Sequence, residues 1–64
     1  MVYRVEVEGI RYPVQIDTDC GPTAAAAAAA QYVVPVGETR RVRIQNTIYI
    51  ATRASEHEVD ITEE

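Results

Sequence analysis

The sequence predicts an α+β domain of the pattern ββαβ(β), with one alanine-rich helix packed on one face of a small antiparallel or mixed sheet. Three observations carry this expectation. Nine valines, six isoleucines and six threonines make about a third of the 64 residues β-branched, the enrichment that strands favour. Apolar and polar residues alternate from Tyr3 to Ile16, the period of a half-buried strand. Ala24 to Ala30 are seven consecutive alanines, the best helix former available. A chain this short holds one small domain, read as residues 1–62 with Glu63-Glu64 as a frayed tail.

The first element is a hairpin. Tyr3, Val5, Val7, Ile10, Tyr12, Val14 and Ile16 fall on one face, and Arg4, Glu6, Arg11, Gln15 and Asp17 on the other. A two-residue loop at Glu8-Gly9 pairs Val7 with Ile10, Val5 with Tyr12 and Tyr3 with Val14, which keeps every apolar side chain on one side. It also sets Glu6 opposite Arg11, a favourable cross-strand pair. Pro13 then falls at a position where the missing N–H points away from strand 1, so strand 2 is expected at an edge and strand 1 inside the sheet.

The helix follows. Asp17 to Thr23 carries start signals: acidic residues, Asp19 or Gly21 as N-cap, and Pro22 in the first turn. Val34 precedes Pro35 and is driven out of the helical region, so the helix is expected from Pro22 to Tyr32 or Val33. Tyr32 and Val33 are its only large anchors, and spacing puts Ala25, Ala26, Ala28 and Ala29 on their face, with Ala24, Ala27 and Gln31 opposite.

In the second half Val42, Ile44, Ile48 and Ile50 share even parity and are expected inward. Residues 40–53 form either one long strand or a hairpin with a three-residue loop at Gln45-Asn46-Thr47. Arg41, Arg43, Tyr49 and Arg53 then lie on the far side. A last strand at Glu58 to Thr62 turns Val59 and Ile61 inward.

Hairpin, helix and further strands, carried by Tyr3 to Ile16, by the helix ending Gln31-Tyr32 and by the closing Val59-Asp60-Ile61-Thr62-Glu63, resemble the β-grasp layout of ubiquitin-like proteins, sulfur carriers and bacterial immunoglobulin-binding domains. Carrier members end in a Gly-Gly pair used for activation, whereas this chain ends Thr62-Glu63-Glu64. The resemblance therefore implies a fold and no activity.

Ten acidic residues against six arginines and no lysine give a net charge of −4, which opposes general attraction to nucleic acid or anionic membrane. One cysteine excludes an internal disulfide and fits a reducing compartment. Alternation from Met1 onward reads as a strand rather than a signal peptide, so the expected location is cytoplasmic. The eighteen uncharged residues from Cys20 to Gly37 are broken by Gly21, Pro22 and Pro35 and are too weakly apolar for a span.

Cys20 beside a helix N-terminus and His57, the one imidazole, are the residues from which a thiol enzyme could be built. A small half-exposed cysteine and a solvated histidine explain them as well, and neither has zinc or calcium ligand spacing with Asp17 and Asp19. Arg41, Arg43, Tyr49 and Arg53, joined by Arg4 and Arg11, offer an alternative: an arginine and tyrosine sheet face that contacts nucleic acid. Glu6, Glu58 and Asp60 on that face favour ion pairing instead. The leading expectation is a non-catalytic, acidic protein-interaction module without cofactor or metal, an accessory subunit or phage-type inhibitor. It would bind a larger protein or its own copy through Ala24, Ala27 and Gln31, where the helix has no charged side chain.

Overall fold

A computed structural model describes all 64 residues. Two strands, β1 (Val2–Val7) and β2 (Val14–Asp17), precede the helix α1 (Pro22–Val33), and β3 (Thr39–Ile44), β4 (Thr47–Arg53) and β5 (Val59–Glu63) follow it. The five strands form one sheet in the order β2-β1-β3-β4-β5, antiparallel throughout, and α1 packs against all five. The α+β class is therefore as the sequence predicts. β2 is an edge strand and β1 lies inside the sheet, but β5 occupies the far edge, so the likeness to β-grasp proteins is confined to the order of elements.

The first hairpin differs from expectation in register. Val5 faces Val14 and Tyr3 faces Ile16, two residues further along than a Glu8-Gly9 loop would give. Both favoured two-residue hairpin turns need positive φ at the first central residue. Here glycine is second: Gly9 has φ 84, and the Ile10 N–H donates to Val7 O over 3.0 Å. The chain leaves the ladder there and returns at Val14. Ile10 and Tyr12, expected inside, are 39% and 72% exposed. Because the shift is an even number, Tyr3, Val14 and Ile16 still pack on the core. Glu6 faces Arg43 of β3 rather than Arg11.

Helix α1 has the expected limits. Gly21 is its N-cap, and the N–H of Val34, whose backbone is extended before Pro35, donates to Ala30 O. Its orientation is the correction. Ala25, Ala26, Ala29 and Ala30 are fully buried, Val33 packs beside them, Ala28 is exposed, and Tyr32 is 80% exposed. Methyl groups let the helix lie flat on the sheet, and a tyrosine on that face would hold the backbones apart. Val34, 1% exposed, fills the end that Tyr32 was expected to occupy.

The β3–β4 hairpin turns through two residues, Gln45 and Asn46, with Ile44 opposite Thr47, Val42 opposite Tyr49 and Arg40 opposite Ala51. Gln45 takes φ 55, the positive value such a turn requires. A loop one residue shorter than expected reverses the facing of the whole of β4. Tyr49 and Ala51 are buried at 4% and 0%, whereas Ile48 and Ile50 lie on the outer face, partly exposed.

β5 turns Val59 and Ile61 onto the core, as expected. Its last residues are held rather than frayed: Glu63 pairs with Tyr49, and the Glu64 N–H donates to Ile48 O over 2.8 Å. The core is thin. Eleven residues are buried, four of them alanines of α1, and valine is the largest side chain that is fully enclosed.

Candidate functional site

Two surfaces present themselves, on opposite sides of the sheet. The first is the solvent side of α1. Ala24 and Ala27 are partly exposed there and Ala28, Gln31 and Tyr32 exposed, and Pro35 and Val36, just past the end of the helix, are exposed as well, Val36 at 55%. Of the residues expected to bind a partner, Ala24, Ala27 and Gln31 do share this side. Gln31 is partly engaged, since its Nε2 donates to Glu56 O over 3.3 Å and ties the last turn of α1 to the β4–β5 loop. Ala28 and Tyr32, which spacing assigned to the core, are exposed members of it. Nothing in a run of identical alanines marks which side faces the sheet.

The second surface is the uncovered face of the sheet. Register places Arg4 and Glu6 of β1, Arg41 and Arg43 of β3, Ile48 and Ile50 of β4 and Asp60 and Thr62 of β5 on it. The displaced loop before β2 overhangs one end, and a hollow of about 400 Å³ lies between them, lined by Arg4, Glu6, Val7, Glu8, Ile10, Arg11, Pro13, Arg41, Arg43 and Ile48. A second hollow of about 390 Å³ adjoins it toward Met1, Val2 and Gln45 and shares Arg4, Glu6 and Arg43. Between the two, Arg43 Nε donates to Glu6 Oε2 over 3.0 Å. Arg41 pairs with Glu64 at 3.1 Å. Arg4 and Arg11 have no carboxylate within ion-pairing distance.

The expected nucleic-acid face is divided by the reversal of β4. Arg41 and Arg43 are on the outer face, but Tyr49 is buried under α1, and Arg53 is on the helix side as well. Arg53 Nη1 donates to Val34 O over 2.9 Å and Nη2 to Glu56 O over 3.1 Å. It is a clasp between the end of α1 and the β4–β5 loop, a role that a lone arginine at a strand end does not announce in sequence. Its Nε is buried without a partner. No aromatic side chain remains on the outer sheet face, so the stacking half of that arrangement is gone.

Cys20 and His57 are separated. Cys20 is exposed just before the first turn of α1, its N–H donating to Thr18 Oγ1 over 3.1 Å. His57 follows Glu56, the residue that Gln31 holds at the last turn. A twelve-residue helix lies between them, about 18 Å at 1.5 Å per residue, too far for proton transfer from thiol to imidazole. One pKa is displaced, that of the Met1 ammonium, raised from 8.0 by hydrogen bonds to Asp17 and Asp19, at the β2 edge where Met1 lines the far end of the second hollow. No helix is long and apolar enough to cross a membrane. No protein-family model matches the chain, and neither the curated proteins nor the solved structures give a match.

Proposed function

We propose that this chain is a non-catalytic protein-interaction module that docks to a larger protein, or to its own copy, through the outer stripe of α1. The observation that carries this reading is the charge-free outer side of the helix: Ala24, Ala27, Ala28 and Tyr32 lead on to Val36, and Tyr32 is 80% and Val36 55% exposed. Surface helices ordinarily turn charged residues to solvent. Small side chains allow a partner helix or strand to approach the backbone closely, and one exposed tyrosine at the end supplies the apolar area and the hydroxyl typical of an interface anchor. The net charge of −4 suits an accessory subunit or inhibitor that meets a basic partner.

Ala28→Glu tests it, because Ala28 touches solvent and glutamate keeps helix propensity. The far-UV circular dichroism is expected to stay unchanged. Affinity purification from source cells with quantitative mass spectrometry should lose the specific partner, or, for self-association, sedimentation should shift to monomer. If both proteins sediment alike and retain the same companions, α1 is not the docking surface.

A further inference from the structure

We propose that the outer sheet face is a second recognition site, which takes an extended acidic peptide segment carrying an aliphatic side chain. The two adjoining hollows run along β1, a six-residue strand and therefore a track of about 20 Å at 3.3 Å per residue. Such a track accommodates about six extended residues. Its partly exposed apolar floor is Ile48, with Ile10 of the overhanging loop, 39% exposed, above one end.

Charge identifies the occupant. Arg43 and Arg41 are each satisfied by a carboxylate of this chain, Glu6 and Glu64. Arg4 and Arg11 line the same hollow, are exposed, and have no such partner. A guanidinium offers a planar fork that matches a carboxylate in two parallel hydrogen bonds, so two carboxylates of an extended peptide can be held with an aliphatic side chain on the floor between them. A nucleic-acid strand fits less well. The only aromatic lining either hollow is Tyr3, which packs on the core, so no free ring is offered for base stacking. The site rests on the interaction-module reading only in that its partner is a protein, and it lies across the sheet from α1, so each surface can fail without the other.

The test is a titration of the 15N-labelled full chain with the peptide acetyl-Asp-Glu-Leu-Asp-Glu-amide, followed by amide and arginine Nε–H shifts. Expected shifts fall on β1, β3 and Ile10–Arg11 and not on α1. Arg4→Gln with Arg11→Gln should weaken binding about tenfold, and Arg40→Gln, an arginine paired with Glu38 and outside both hollows, should not. The unchanged spectrum of the free double variant reports that it folds. The proposal is overturned if the peptide shifts no outer-face resonance, if the double variant binds as wild type does, or if a short oligodeoxythymidylate binds the same face more tightly than the peptide.

Discussion

Tyr49 is the residue on which the interior turns. It is 4% exposed, whereas Ile48 and Ile50 beside it keep part of their surface in water. Tyr49→Ala is expected to cost about 3–5 kcal/mol through lost burial and an unfilled cavity, and Ile48→Ala roughly 1 kcal/mol because that side chain is not enclosed. Urea denaturation of the two variants measures this, and a larger loss for Ile48→Ala would mean that β4 faces the other way. The parity of the isoleucines pointed to the opposite facing. Side-chain type alone does not decide it, since β4 carries apolar residues at both parities and its true inner set, Tyr49 and Ala51, pairs the largest with the smallest.

At the scale of elements, loop length is what separates the expected layout from the observed one. Two loops were at issue. At Glu8-Gly9 a tight hairpin turn would need positive φ at Glu8, whereas Gly9 is the residue that takes it, and the six residues before β2 follow from that. At Gln45-Asn46 no glycine marks the turn, and Gln45 accepts φ 55 at a steric cost of about 1 kcal/mol. Gln45→Gly is therefore expected to stabilise the chain by a few tenths to 1 kcal/mol, less any gain in unfolded-state freedom. A raised urea midpoint with unchanged slope would show it, and a fall would mean that the glutamine side chain contributes more than its backbone costs. The helix illustrates the reverse: its ends were legible from Pro22 and Pro35, but its facing was not, because seven identical residues carry no periodicity.

For the whole molecule, the thin core sets the stability. Eleven buried residues, five of them alanine, place it at about 3–5 kcal/mol, the range of a single core this small. Equilibrium urea unfolding of the dilute chain checks this. An unfolding free energy well above that range, independent of concentration, would show that the flat alanine packing is worth more than its area. If α1 docks to a second copy, the midpoint instead rises with protein concentration.

By itself, the sequence determined the α+β class, the helix and its limits, β2 at an edge with β1 inside, and the inward facing of β1, β3 and β5. Each rests on a local signal, an apolar period or a proline, that survives a shift of register by an even number of residues. Only the tertiary structure decided the strand order, the rotation of α1 and the facing of β4. Those depend on which surfaces come closest when the helix settles on the sheet, and on a single residue of loop length. The same decisions sorted the candidate sites. They buried Tyr49, made Arg53 a clasp, left Ala28 and Tyr32 in solvent, and gathered Arg4, Arg11, Arg41 and Arg43 around one hollow although they stand far apart in the chain.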